Sequence, residues 1–299
     1  MKILTIIPTL NAADILTKQL QILTKINNIL VIDSSSDDNT VEISKKFGVE
    51  VLEIKREEFN HATTRNLALN HKADFYLFMT QDAIPYDESL VENLLKSFDD
   101  KEVVVSYAKQ VPWEDADIIE KFARETNYPD ISTIKSKESL KELGIKTFFC
   151  SNSCAMYRSS YFKEVGGFTS GLIMNEDMEY VARAILKGKK VAYQADAKVW
   201  HSHEYGVVDI FNRYFDIGVF FRITPWIQDE VNKYSSTEST GIKQAKKELA
   251  YLFKNSPLSV PKSILFSFTK YVAFKLGYSY EKLPKGLVKK FSLHKNFHS

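Results

Sequence analysis

An apolar run at residues 75–79 ends in Thr80-Gln81-Asp82-Ala83, which leaves one carboxylate at the tip of what reads as a buried strand. A carboxylate there can hold a hard divalent cation against a phosphate. The plainer alternative is a turn-forming Asp ahead of Pro85. His201-Ser202-His203 follows another strand-like run, and period-two alternation puts both imidazoles on one face. They can serve as metal or phosphate ligands if a carboxylate such as Asp82 comes near. Asn175-Glu176-Asp177 opens a helical pattern, as a cap with acids in the first turn or as a general base, Asp177, aimed into a cleft. The helix terminus is expected to lower the Asp177 pKa and make it a weak, permanently ionised base. His61 and Arg65 share a helix face at i, i+4, where they offer an imidazole and a cation to a phosphate or a base, or are simply solvated. Asp33 closes a further apolar run, and Ser36 or Asp37 after it can cap the next helix.

These residues need a frame. Residues 3–7, 29–32, 49–54, 75–79 and 103–107 are short continuous apolar runs, as strands buried on both faces should be. Helical patterns at 12–25, 38–47, 61–71 and 87–98 lie between and after them. Repeated β-α units imply a doubly wound, mostly parallel sheet, with ligands beyond the carboxyl ends of its strands. That places chemistry at residues 8–11, 33–37 and 80–85. Further on, a helix is expected at 115–126, a polar loop at 129–146 and a strand at 148–157. Then come a helix at 176–187, two short strands at 190–193 and 197–200, and a helix at 206–222. From about 240 the pattern is two or three Lys-bearing helices broken at Pro257, Pro261 and Pro284. Thus an α/β domain at 1–222, divided near 110, carries a helical C-terminal extension at 223–299.

Composition narrows the function. The chain has 299 residues, with 40 Lys plus Arg against 38 acids and a net charge of +2, which argues against a nucleic-acid partner. Glycine is scarce, 11 in all, and the first is Gly48, so neither a dinucleotide fingerprint nor a P-loop can follow the first strand. A bound nucleotide would then need its phosphates neutralised otherwise, most simply by a metal. Cys150 and Cys154 read as buried free thiols of a reducing cytoplasm. The run at 3–7 is too short for a secretion signal, and no stretch reaches the roughly 18 apolar residues of a spanning helix. A cytoplasmic protein, soluble or peripheral at the inner face of the membrane, is expected.

Taken in order, these stretches resemble family 2 glycosyltransferases of the GT-A fold, and among them the bacterial rhamnosyltransferases. The matching segments are Ile7-Pro8-Thr9-Leu10-Asn11, Ile32-Asp33-Ser34-Ser35-Ser36-Asp37, Phe59-Asn60-His61 with Thr64-Arg65-Asn66, and Thr80-Gln81-Asp82-Ala83. They continue through Lys109-Gln110-Val111-Pro112, Ser151-Asn152-Ser153-Cys154, Gly166-Gly167-Phe168, Glu176-Asp177 and His201-Ser202-His203 to Arg213-Tyr214-Phe215-Asp216-Ile217-Gly218. The resemblance implies an inverting transferase taking a nucleotide-sugar, dTDP-L-rhamnose first, to a lipid-linked polysaccharide acceptor. It assigns Pro8, Thr9, Asn11, Asp33, Ser35, His61, Arg65, Gln81 and Asp82 to the nucleotide-sugar. Gln110, Asn152 and Glu176 go to the acceptor side, and Asp177 becomes the base. Mg²⁺ or Mn²⁺ would sit on Asp82 with His201 or His203. Thr80 replaces the first acid of the usual Asp-x-Asp, as the rhamnosyl subgroup tends to show. Ala62-Thr63 and Lys109 depart from that subgroup near the donor pocket, which leaves a UDP-hexose donor as an alternative, and Thr80 leaves a non-catalytic donor-binding subunit as another.

The charge is uneven. From Lys254 onward there are nine Lys and one acid, a local +8 that leaves the rest at −6. The basic extension either packs on the catalytic domain or touches anionic lipid.

Overall fold

The computed structural model describes residues 1–234 and 237–298. Its sheet comprises β1 (Ile3–Thr9), β2 (Asn28–Asp33), β3 (Glu50–Glu53), β4 (Phe75–Met79), β5 (Ile84–Pro85), β6 (Val103–Val111), β7 (Thr133–Lys135), β8 (Cys154–Arg158) and β9 (Lys190–Trp200). The order is β3-β2-β1-β4-β8-β6-β9-β5, with β7 on β9. Strands β1, β2, β3, β4, β6 and β9 run one way, and β5, β7 and β8 oppose them. Helices α1 (Ala13–Leu23), α2 (Thr40–Lys46), α3 (His61–Asn66), α4 (Leu90–Leu95), α5 (Ile118–Asn127), α6 (Leu140–Leu143), α7 (Ser159–Glu164) and α8 (Glu176–Leu186) connect the strands. The C-terminal helices are α9 (Val207–Ile223), α10 (Pro225–Asn232), α11 (Thr237–Asn255), α12 (Val260–Tyr278) and α13 (Lys285–Phe291).

The apolar runs of β1, β2, β4 and β6 form strands because both faces of the sheet are covered there; the run at 49–54, expected to be buried, is the edge strand β3, with Glu50, Leu52 and Glu53 exposed because it has a neighbour on one side only. Alternate residues feed two cores: Ile6, Leu30, Ile32, Tyr76 and Phe78 one, and Ile7, Ile29, Val31, Leu77 and Met79 the other. Each such side chain contributes about 1.5–3 kcal/mol when fully buried. The parallel pairing of β1 with β2 puts Thr9 opposite Asp33. The antiparallel entry of β8 puts Cys154 opposite Met79, so the 150–153 loop arrives at the same edge. The end of β9 lies beside the end of β6, with Val111 opposite Trp200 and the His201 N–H donating to Val111 O at 2.9 Å. Topology thus delivers Asp33, Asp82, Gln110, Asn152 and His201 to one rim.

Several elements differ from expectation. The polar 129–146 stretch contains β7 and α6, because Thr133–Lys135 adds an edge to β9. The expected strand at 148–157 starts only at Cys154; residues 144–148 form a 3-10 turn. The two strands at 190–193 and 197–200 are one, β9, whose shift in register near Gln194 disguised its continuity. The helices expected at 61–71 and 87–98 are α3 and α4, each finished by a 3-10 segment. Pro261 does not break a helix but sits in the first turn of α12, where its missing N–H has no intrahelical role. Neither Ser36 nor Asp37 caps α2, which begins after Asn39.

Helix α12 packs along α9 at backbone contact. A Cβ on Gly277 would lie 1.9 Å from Phe215 O, and one on Gly218 2.3 Å from Phe274 O. Only glycine admits so close a crossing.

Candidate active site

A cleft of about 790 Å³ opens at the rim, lined by α3, the ends of β4 and β6, α5, the 150–153 loop, the start of α8, residues 201–206, α9 and α12. It contains His61, Arg65, Asp82, Gln110, Asn152, Glu176, Asp177, His201 and His203. Pro8, Thr9, Asn11, Asp33, Ser35 and Gln81 stand outside it, on or beyond the ends of β1, β2 and β4.

On one side of the cleft, Asp82 meets both histidines. His201 Nε2 is 3.3 Å from Asp82 Oδ1 and His203 Nε2 is 3.5 Å from Oδ2. The three ligand atoms lie within 4.8 Å of one another. Gln110 determines the tautomer of His201. Its Oε1 accepts from Arg124 Nη1, which cannot itself accept, and lies 2.9 Å from His201 Nδ1. Nδ1 therefore carries a hydrogen, and Nε2 faces Asp82 across either a second proton or a cation. Gln110 Nε2 donates onward to Ser151 Oγ at 2.9 Å. Burial works against ionisation of Asp82, but the hydrogen bond and charge of His201 outweigh it and hold the carboxyl well below its usual range. Burial, reinforced by His201, pushes His203 down to about 4, so its ring is neutral. One carboxylate and two imidazoles, one oriented from behind, are a donor set that fits a divalent cation.

Asp177 lies at the first turn of α8, where its Oδ2 accepts from Asn152 N at 2.9 Å and its Oδ1 from Met178 N at 2.8 Å. The expected depression of its pKa is reversed. Burial, then the charge of Glu176, raises Asp177 to about 7, against the two backbone donors. Nor does Asn175 cap the helix through its side chain; it holds a left-handed backbone at φ 58°. Asn11 and Ser35, at φ 52° and 59°, are the other non-glycine residues in that region among those described, so the strained backbone gathers at the sheet's carboxyl edge.

Behind Asp177 is a buried polar network. Arg65 Nη1 lies 3.2 Å from Glu176 Oε1, which also accepts from Asn152 Nδ2 at 2.9 Å. Arg65 Nη1 is likewise 3.2 Å from His61 Nδ1, as the i, i+4 spacing anticipated. Burial takes His61 down to about 4, so the ring is neutral and Nδ1 accepts. Arg65 thus faces the carboxylates as well as the cleft.

At the ends of β1, β2 and β4 the loops are stitched together. Asp33, fully buried, accepts from Thr9 Oγ1 at 3.0 Å and from Ser36 Oγ at 2.6 Å. Gln81 brackets the Leu10 peptide, accepting from its N–H at 2.8 Å and donating to its carbonyl at 3.2 Å. Asn11 Oδ1 receives Asp37 N, and Ser35 Oγ donates to Ile54 O.

Sequence reasoning missed Arg124, Lys270 and His294 and gave Arg213, part of a matching segment, no role; all four line the cleft. Arg124 also pairs with Glu120 at i, i+4, 2.7 Å away. His294 packs edge-on against His61 with centroids 5.1 Å apart, held there because Leu293 N donates to buried Asp216 at 2.9 Å. Nothing in a lysine-rich tail announces that placement.

Comparison with known proteins agrees with this geometry. Residues 5–166 match the model of "Glycosyl transferase family 2". The O-antigen chain rhamnosyltransferase RfbN of Salmonella typhimurium is 39% identical over 304 residues, covering 99% of this chain and 96% of that protein. The O-antigen chain rhamnosyltransferase WbaN of Salmonella anatum is 41% identical over 273 residues, covering 91% and 86%. Among solved structures, the mannosyltransferase PcManGT of Pyrobaculum calidifontis, in complex with GDP-Man and Mn²⁺, aligns with TM-score 0.62 at 13% identity, covering 94% of this chain and 88% of that one. S. aureus TarS 1-349 aligns with TM-score 0.58 at 16% identity, covering 98% and 84%. An open, mostly parallel α/β sheet, an acid-and-histidine cluster at its carboxyl edge and these matches lead to one conclusion: the chain is a GT-A-fold glycosyltransferase and belongs to glycosyl transferase family 2.

Proposed function

We propose that this protein is an inverting, metal-assisted rhamnosyltransferase that moves L-rhamnose from dTDP-L-rhamnose to a lipid-linked glycan, building a surface polysaccharide in the cytoplasm. The rhamnosyl assignment is supported by the two Salmonella relatives. The mechanism is carried by one observation: a carboxylate raised to about 7 shares a cleft with the Asp82–His201–His203 cluster.

Asp82, His201 and His203 would hold a divalent cation, and two nitrogen donors would favour Mn²⁺ over Mg²⁺. Bound there, it would supply positive charge against the leaving diphosphate. Asp177 accepts the proton of the acceptor hydroxyl on a lone pair not used by Asn152 N or Met178 N. The hydroxyl oxygen then bonds to the anomeric carbon from the face opposite the departing diphosphate, which inverts the configuration. A base with a pKa near working pH does this better than an ordinary aspartate. Burial and then the charge of Glu176 keep that pKa high, and Arg65 and Asn152 hold Glu176 in place. Pro8, Thr9, Asn11, Asp33, Ser35 and Gln81 shape the nucleotide end, with Arg65 and His61 between it and the sugar. Gln110 serves the metal side by orienting His201. We assign residues 1–222 to the transferase core and 223–299 to the wall of its acceptor side.

The test is nucleotide release and sugar transfer with Mn²⁺ or Mg²⁺, using dTDP-rhamnose, UDP-glucose, UDP-galactose and GDP-mannose in parallel. Metal-dependent release of dTDP alone, lost in Asp177→Asn, is expected. Turnover of a UDP-sugar instead would keep the reaction and overturn the rhamnosyl donor. Donor binding without turnover, with lipid extract present, would point to a donor-binding subunit.

A further inference from the structure

Helix α12 lacks the separate polar face of an ordinary surface helix: its three lysines, Lys262, Lys270 and Lys275, are spread around it rather than gathered on one side. Its inward arc is accounted for: Ser263, Phe266, Thr269, Ala273 and Gly277 are buried, and Lys262, Phe266 and Lys270 line the cleft. Its outward arc should then be polar. Instead, Pro261, Ile264, Leu265, Phe268 and Tyr271 are exposed along one side, at the spacing of a single helix face. The patch continues beyond the helix to Leu258, 95% exposed, and to Phe253 on α11. Lysines accompany it on the same two helices: Lys243, Lys246, Lys247 and Lys254 are exposed on α11 and Lys275 on α12, while Lys262 turns to Asp117 at 2.8 Å on the cleft side.

We propose that this face, centred on Ile264, Leu265 and Phe268, docks on an anionic lipid bilayer. Apolar residues entering the headgroup region beside lysines that meet lipid phosphates are the two elements of interfacial binding. Charge complementarity selects this occupant: nine Lys and one acid after residue 253 repel a second basic copy and attract anionic lipid. No helix of the described residues is long and apolar enough to cross a membrane, so the contact lies at the surface. Because α12 lines the cleft with its other side, docking sets the cleft beside the lipid surface. The docking surface stands on its own observations; only its use, presenting a lipid-borne acceptor, rests on the rhamnosyltransferase reading.

The experiment is co-sedimentation of the full chain with phosphatidylcholine vesicles, with and without phosphatidylglycerol, at two salt concentrations. Wild type is expected to bind the phosphatidylglycerol vesicles and to lose affinity as salt rises. The double variant Leu265→Glu/Phe268→Glu should lower affinity about tenfold or more while keeping its melting temperature and its nucleotide release from free donor. These are exposed side chains outside the cleft, so folding is preserved; Lys246→Glu/Lys254→Glu is the second arm and should weaken binding without touching the apolar face. No binding to anionic vesicles, or binding that neither variant changes, would overturn the proposal. So would a concentration-dependent dimer abolished by the apolar variant, which would make the face a contact between copies. Vesicle binding without turnover of any nucleotide-sugar would leave the surface standing and remove the catalytic reading instead.

Discussion

At the scale of single residues, the site depends on how two carboxyls are treated differently. Asp82 is held ionised by His201, whereas Asp177 is pushed up to about 7 by burial and Glu176. Activity should therefore rise with pH through about 7 as Asp177 loses its proton. Asp177→Asn should lower kcat by about 10²–10⁴ and abolish that limb of the pH–rate profile. A variant that keeps the limb would move the base elsewhere. Gln110 belongs to the same scale. Gln110→Leu removes the acceptor that keeps hydrogen on His201 Nδ1. The affinity for Mn²⁺ should then fall about 10–100-fold in a calorimetric titration. Unchanged affinity would show that His201 needs no orienting partner.

At the scale of elements, the cleft depends on α9 and α12 approaching backbone to backbone. Gly277→Ala places a methyl 1.9 Å from Phe215 O, a clash with backbone that no rotamer relieves. Overpacking of this kind typically costs about 1–3 kcal/mol. Thermal melting should show a clear loss of stability, together with weaker substrate binding as α12 moves off the cleft. Gly286→Ala on α13, where an added Cβ meets nothing within 4 Å, is the matched control and should leave the melting temperature within about 2 °C.

At the scale of the whole molecule, the raised carboxyls link activity to stability. Burial also raises Asp216, to about 6, while it holds the 292–294 segment against α9. A carboxyl whose folded pKa exceeds its unfolded value binds more protons in the native state across that interval. Stability from Asp177 and Asp216 is therefore fully present below about pH 4 and lost as pH rises through about 6 and 7. The neutral His61 and His203 contribute the opposite slope between about pH 4 and 6.5, so the test is the difference: from pH 5 to pH 8 the melting temperature of Asp177→Asn should gain on that of wild type. An equal change in both would show that Asp177 is not strained by ionisation.

The sequence by itself carried β1, β2, β4 and β6, because a strand covered on both faces is apolar at nearly every position and too short to be a buried helix; β3 was found as a strand but not as the exposed edge it is. It also offered Asp82, His201 and His203 as candidates, which the fold brings within 4.8 Å of one another, whereas Asp177 became the candidate base only through the family resemblance. Strand β7 escaped because an edge strand needs few buried residues; Ile134 is 54% exposed. The sign of the Asp177 shift escaped because a helix terminus is visible in sequence, whereas the burial that outweighs it exists only once distant segments close on Asp177, among them the 150–153 loop, whose Asn152 N–H donates to it at 2.9 Å. The same holds for Gln110 behind His201 and for His294 beside His61, which are 91 and more than 200 residues apart in the chain. Residue types and local periodicity determine what chemistry is available. Desolvation and the pairing of distant charges decide which of it operates, and both exist only once the chain has folded.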